Sequence, residues 1–333
     1  MQEKIVLLDV RSPGEYAHAH IPPAVNLPLF SDDERAQVGT TYKQVGREQA
    51  ILLGFDLTGH KWSGFIRTAL EIAPDKRVAV HCWRGGMRSG VMAWALDLYG
   101  FEVLVIKGGY KSYRQWARQQ FAIPFDFRIL GGMTGSRKTR LLAELHAMGE
   151  QMVDLEDLAR HQGSAYGTMN KMVQPTQEQF ENNLAWMLKD LDPNRRLWVE
   201  DENRNIGRIV IPSPFWDNLE QALTVNIEVD REDRVAYLVQ EYGLLDPDFL
   251  AECTKRIHKR LGPLQTTQAV AAIREGRMAD FIKLVLVYYD KTYQKALSKK
   301  VSERLFNLRL SGNSDADNAR LILNFTQTIA DSK

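Results

Sequence analysis

Val78-Ala79-Val80-His81-Cys82-Trp83-Arg84-Gly85-Gly86-Met87-Arg88-Ser89 is the stretch that decides how this chain is read. An apolar, β-branched run ends at a cysteine, and an apolar helical segment over residues 91–99 follows. Glycines and arginines fill the turn between strand and helix. Such a turn makes an anion cradle, because backbone N–H groups converge on one point with the positive end of the helix dipole behind them. A cysteine held there has a stabilised thiolate and is a nucleophile at neutral pH. Cys82 is therefore the candidate catalytic residue, with Arg84, Gly85, Gly86, Arg88 and Ser89 as its anion loop. Arg88 contributes a permanent charge and a two-pronged donor for an oxyanion. The competing reading, a structural cysteine at a strand end, leaves the glycines and arginines without a purpose.

Working outward, residues 5–10 read as a buried parallel strand that ends in the turn Arg11-Ser12-Pro13-Gly14. Residues 56–73 read as one helix with an apolar face of Trp62, Phe65, Ile66 and Leu70, stopped by Pro74. A further strand, 103–106, leads into Lys107-Gly108-Gly109-Tyr110. Strands alternating with helices indicate a parallel α/β sheet, with ligands bound at strand C-termini, where Cys82 falls.

Ile123-Pro124 marks a boundary. Beyond it a strand, Phe127-Arg128-Ile129-Leu130, runs into Gly131-Gly132-Met133-Thr134-Gly135-Ser136-Arg137-Lys138-Thr139 and a helix from 140 to about 148. Strand, glycine-rich loop, Lys-Thr and helix make a P-loop. Gly132, Gly135 and Ser136 are candidate phosphate contacts, Lys138 neutralises the phosphate, and Thr139 can hold Mg²⁺. Arg137 stands where the motif wants glycine. It adds charge but crowds the approach of backbone to phosphate, which argues against ordinary nucleotide hydrolysis and leaves ATP binding open. Residues 151–156 and 197–202 read as strands ending in acids, so that Asp154, Glu156, Glu200, Asp201 and Arg204 are candidate Mg²⁺ or phosphate contacts. An ordinary solvated strand end is the alternative for these. Residues 223–229 form a third strand, and the remainder reads as helical with basic faces, among them Lys255, Arg256, Lys259 and Arg260.

The 333 residues suggest two domains, 1–122 and 123–333. The fold class expected is α/β, a parallel-sheet domain followed by a P-loop NTPase-like domain with a helical C-terminal part. A formal net charge of +1 means that any polyanion must be bound by local basic faces. The two cysteines, Cys82 and Cys253, lie far apart and form no disulfide framework, which suits a reducing compartment. Neither a leader nor a membrane-length apolar run is visible, so a cytoplasmic protein without membrane partners is expected.

Asp9-Val10-Arg11-Ser12-Pro13, Glu15-Tyr16, His20-Ile21-Pro22, Asn26-Leu27-Pro28, the Cys82 loop and Lys107-Gly108-Gly109 together resemble a rhodanese domain over about the first 120 residues. Common sulfurtransferase loops place their arginine five residues after the cysteine, whereas Arg88 lies six after Cys82. The longer loop has room for a bulkier oxyanion and shares the His-Cys-x5-Arg spacing of cysteine phosphatases. A persulfide-carrying sulfurtransferase and a phosphatase or arsenate-reductase-like enzyme thus remain alternatives, the latter lacking an evident general acid among Asp9, His18 and His20.

The whole chain resembles the tRNA 2-selenouridine synthase family. The matching residues include Asp32 to Gln44, Cys82-x-Arg84-Gly85-Gly86-x-Arg88-Ser89, Gly131-Gly132-x-Thr134-Gly135, Asp154-Leu155-Glu156, His161-x-Gly163-Ser164 and Glu200-Asp201-Glu202-x-Arg204. Gln162 departs from the pattern, as Arg137 does. The resemblance implies conversion of wobble 2-thiouridine to 2-selenouridine in the anticodon of tRNA, with selenophosphate as donor, and S-geranylation from geranyl diphosphate as an intermediate step. It implies tRNA as partner, a selenophosphate-producing enzyme as a second, and Lys255, Arg256, Lys259 and Arg260 as candidate tRNA contacts. Trp186, Trp198, Phe215 and Trp216 are large enough to line a geranyl pocket.

Overall fold

The structure, a computed structural model, describes residues 5–161, 166, 173–310 and 314–331. The chain divides into two compact units, residues 1–121 with 176–189, and residues 122–175 with 190–333.

In the first unit, strands β1 (Val6–Asp9), β2 (Val25–Asn26), β3 (Arg77–His81) and β4 (Glu102–Val105) form a parallel sheet in the order β2-β1-β3-β4. Leu8, Val78 and Val80 face a core closed by Met92 and Leu96 from the helix Met87–Leu98. That helix starts directly after the Cys82 turn, so the core packs the two elements that hold the cradle. The single helix expected over 56–73 is instead two, Arg47–Thr58 and Trp62–Ile72. The Thr58 hydroxyl donates back to the Gly54 carbonyl at 2.8 Å, and the Lys61 N–H takes the Thr58 carbonyl at 2.9 Å, ending the first helix in a turn. The second helix keeps the expected apolar face of Trp62, Phe65, Ile66 and Leu70 on the core.

The first unit also takes an element that sequence order assigned to the second domain, the helix Gln177–Leu188. Buried polar groups hold it there. The Asn182 amide donates to the His20 carbonyl and the Tyr110 hydroxyl, both at 2.8 Å, and accepts from Arg114 at 2.7 Å. Arg114 also pairs with Glu181, and the Tyr110 hydroxyl donates to Glu178 at 2.7 Å. Without this helix a buried arginine and a buried tyrosine would lack partners, which is costly. The division 1–122 and 123–333 is corrected in this respect.

In the second unit, strands β5 (Asp126–Gly132), β6 (Gln151–Val153), β7 (Arg196–Glu200), β10 (Leu223–Glu228) and β11 (Leu305–Arg309) form a parallel sheet ordered β11-β10-β5-β7-β6, while β8 (Asn205–Ile206) and β9 (Ile209–Val210) make a short hairpin. The central strand β5 ends in the glycine-rich loop, and the helix Lys138–Ala147 buries Leu141, Leu142 and Leu145 on the sheet. β11 lies in the stretch expected to be helical. Its polar Asn307 and Arg309 hide a strand whose pairing with β10 is set by tertiary contact. The helices between 231 and 297 enclose a second apolar cluster around Leu250, Phe281 and Tyr166, in which Cys253 is buried. Among the described residues no helix is long and apolar enough to cross a membrane.

Candidate functional site

The Cys82 cradle is made by backbone. Gly85 has φ of +63°, and a Cβ there would lie 2.5 Å from the Ile106 carbonyl oxygen, so this turn admits only glycine. Two outward carbonyls of the loop are tied down: Tyr110 N–H donates to Cys82 O and Lys111 N–H to Trp83 O, each at 2.9 Å. Inward, the Ser89 hydroxyl donates to Cys82 Sγ at 3.3 Å, joined by the N–H groups of Ser89, Arg84 and Gly86. Burial opposes a thiolate here, yet these four donors outweigh it and bring the thiol below its ordinary range.

The arginines differ. Arg88 is paired with Glu15 at 2.7 Å; burial opposes the Glu15 carboxylate, but Arg88 wins and holds it ionised. Arg84 is exposed and makes no ion pair among the described residues. Asp9, weighed above as a general acid, is fully buried and committed to Arg11, whose guanidinium lies over Tyr110 at 3.9 Å. His20 Nδ1 lies 3.0 Å from the Tyr16 carbonyl and its ring stacks on Tyr16. His18 is exposed. None of them is placed as a free acid beside the thiol.

In the second unit, Lys138 Nζ donates to the Gly132 carbonyl at 3.0 Å and lies 3.3 Å from Glu200, while the Thr139 hydroxyl donates to Glu200 at 3.0 Å. Ser136 Oγ is buried and has no hydrogen-bond partner among the described residues, as suits a group that meets a ligand. Arg137 adopts the left-handed φ of +59° that glycine would favour, a strain of about 1 kcal/mol. The expected crowding is corrected by its side chain, which pairs with Asp315 at 3.2 Å and lies 5.2 Å over Tyr237. The loop is braced by Arg234, missed in the sequence, which donates to Thr134 O at 3.1 Å and forms a bidentate pair with Asp290.

Of the candidate acids, the structure brings Glu156 and Glu200 together and adds Glu202, with ligand atoms all within 4.8 Å of one another. Glu202 was legible in principle, because extended backbone puts residues 200 and 202 on one face and 201 on the other. Asp201 turns to Lys300 at 2.7 Å and to Tyr293. Asp154 caps the short helix Leu155–Ala159, accepting from Asp157 N–H at 2.8 Å, and Arg204 donates to Ser213 at 2.6 Å. Burial, then repulsion from Glu202 and Glu200, raises the Glu156 carboxyl; burial and Glu200 raise that of Glu202. Burial disfavours the Lys138 ammonium, but the three glutamates outweigh it and raise its pKa.

Lys255, Arg256, Lys259 and Arg260 are all exposed, with Arg256 paired to Glu252 at 2.6 Å and Arg260 reaching Tyr288. Each of the large apolar candidates lies within its own unit. Trp186 packs in the first unit, Trp198 is buried with its N–H on Glu150, and Phe215 is buried edge-on to Phe127. Gln162, Gly163 and Ser164 lie outside the described residues.

A cysteine loop on a rhodanese-type sheet and a P-loop beside clustered carboxylates define a two-unit α/β protein. Family models agree with both halves: a rhodanese-like domain matches residues 1–115, and the tRNA 2-selenouridine synthase AAA domain matches residues 125–316. Proteins named tRNA 2-selenouridine synthase are similar along most of their length. The one from Bdellovibrio bacteriovorus is 39% identical over 92% of this chain and 92% of its own. That from Sulfurovum is 34% identical over 90% and 91%, and that from Nitrosomonas europaea 36% identical over 78% and 69%. The chain belongs to the tRNA 2-selenouridine synthase family.

Proposed function

We propose that this protein is a tRNA-modifying enzyme that converts wobble 2-thiouridine to 2-selenouridine, using selenophosphate and passing through an S-geranyl intermediate. The observation that carries the reading is the Cys82 thiol, brought below its ordinary range by the Ser89 hydroxyl and three loop N–H groups, while Asp9, the candidate general acid, is committed to Arg11. A cysteine phosphatase needs that acid to protonate its leaving group. A plain sulfurtransferase explains the thiol and leaves the P-loop without a task.

In this reading the thione sulfur of 2-thiouridine attacks C1 of geranyl diphosphate, the C–O bond breaks, and diphosphate departs with the bonding electrons. Lys138 and the amides around Gly132, Gly135 and Ser136 stabilise the departing charge. The carboxylate oxygens of Glu156, Glu200 and Glu202, with the Thr139 hydroxyl, are the hard oxygen donors that Mg²⁺ takes, and their burial and mutual repulsion favour a cation among them. Bound Mg²⁺ would supply positive charge to phosphate oxygens. The S-geranyl group is then a leaving group at C2, displaced by selenium delivered from selenophosphate. The cradle donors bind the selenophosphate oxyanion, for which Arg84 is free and Arg88 must be released from Glu15. The Cys82 thiolate attacks the phosphorus of selenophosphate, the P–Se bond breaks, and hydroselenide leaves to attack C2 as geranylthiolate departs; water then hydrolyses the phosphocysteine.

The test is mass spectrometry of wobble nucleosides after incubation with 2-thiouridine tRNA, geranyl diphosphate and selenophosphate. Appearance of 2-selenouridine, with the S-geranyl nucleoside when selenophosphate is withheld, is expected. Unchanged 2-thiouridine would overturn the reading, and Cys82-dependent hydrolysis of an aryl phosphate would replace it with the phosphatase class.

A further inference from the structure

The geometry points to the rim of the Cys82 loop as the surface that receives a single-stranded RNA loop, with the Trp83 indole as the platform for the reacting pyrimidine. This rests on the proposed tRNA reading and adds where and how the RNA is held. Trp83 directly follows the nucleophile in sequence, and 39% of it is exposed. The rest of its ring is braced from within, 5.5 Å from Tyr110 and 5.9 Å from the Arg11 guanidinium. Both supports are anchored: Tyr110 is fully buried and bonded to Glu178 and Asn182, and Arg11 is buried against Asp9. The Trp83 carbonyl is itself held by Lys111 N–H. An aromatic that is exposed yet already fixed stacks on a base at little ordering cost.

Around it stand three cations without an ion pair among the described residues, Arg84, Lys107 and Lys111, all exposed. Their backbones touch the loop. Lys107 precedes the Gly108-Gly109 pair, whose N–H groups crowd Gly85, and Lys111 donates to Trp83. Two other arginines of this unit are paired, Arg88 with Glu15 and Arg114 with Glu181. Free cations beside a fixed aromatic are the chemistry of a single-stranded nucleic-acid platform, in which charge tracks phosphate and the ring takes a base. An acidic protein would use the cations and ignore the ring, which separates it from RNA in the test.

The experiment measures binding of the full chain to a labelled anticodon stem-loop carrying 2-thiouridine, and to the same RNA with the wobble base removed, across a salt series. Trp83→Ala should weaken binding of the intact loop roughly 5- to 100-fold, and Trp83→Phe should restore most of it. Removing the base should cost the wild type a similar factor and cost Trp83→Ala nothing further, because the two changes delete one interaction. Lys107→Gln with Lys111→Gln should lower the log–log salt slope by about 1.4. An unchanged melting temperature and Cys82 alkylation rate show that the variants are folded. Losses that simply add, or Trp83→Ala binding like the wild type, would overturn the platform. A slope lowered by Lys255→Gln with Lys259→Gln but not by the rim variant would move the RNA to the other helical face. A wild-type chain that binds neither RNA would overturn the tRNA reading itself, and the platform with it.

Discussion

In the proposed reaction Cys82 is activated by four donors, the Ser89 hydroxyl and the N–H groups of Ser89, Arg84 and Gly86. The hydroxyl of Ser89 is the one that a substitution can remove without touching backbone. Alkylation of Cys82 by iodoacetamide should show a pH midpoint below the value of a free thiol, about 8.5. Ser89→Ala should shift that midpoint upward toward it. The sign follows from burial: the pocket disfavours charge, so each lost donor tips the balance to the neutral thiol. A wild-type midpoint at or above about 8.5 would remove the basis for Cys82 as the nucleophile that releases selenium from selenophosphate. Cys253 is the internal control. Burial in the helical cluster raises its pKa, and it should stay unmodified while the chain is folded.

Two elements carry predictions of their own. Asn182 on the helix Gln177–Leu188 satisfies Arg114, Tyr110 and the His20 carbonyl at once. Asn182→Ala should cost about 2–4 kcal/mol, read by denaturant unfolding, since buried groups are left unpaired. A loss below 0.5 kcal/mol would mean that the helix is a passenger on the first unit. In the second unit, Glu156 and Glu202 bind protons more tightly folded than unfolded. Their contribution is therefore fully present below the ordinary glutamate value of 4.5 and is lost as pH rises through their elevated range. Mg²⁺ should raise the melting temperature by linkage, increasingly so at higher pH, where fewer protons compete for the carboxylates. Glu202→Gln should flatten the metal-free pH dependence and weaken the Mg²⁺ effect; an equal Mg²⁺ shift in wild type and variant would rule out this cluster as the cation site.

For the whole molecule the central expectation is a division of labour between units. Lys138→Ala should abolish geranylation, several kcal/mol of barrier lowering, by removing charge from the departing diphosphate. Cys82→Ser should leave geranylation intact and block selenation, so that S-geranyl tRNA accumulates. Pre-geranylated tRNA should rescue selenation in Lys138→Ala and not in Cys82→Ser. If both variants lose both steps while folded and RNA-bound, one composite site must carry the reaction. Such a scheme could be written because both anion loops are contiguous in sequence. Gly85-Gly86 before a helix, and Gly131 to Thr139 between strand and helix, dictate backbone turns through local φ/ψ and helix-dipole physics alone. Their cysteine, lysine and threonine therefore declare themselves without any knowledge of packing. What the folded chain decided is which side chains pair across long separations. Glu15 claims Arg88 from 73 residues away, and Asp315 takes Arg137 from 178 residues away. Lys300 draws Asp201 aside so that Glu202 joins Glu156 and Glu200, and the helix Gln177–Leu188 leaves its sequence neighbours to fill the polar needs of the first unit. A short window of sequence carries backbone preference, but the partner of a buried charge is chosen by whatever the fold brings within hydrogen-bond reach.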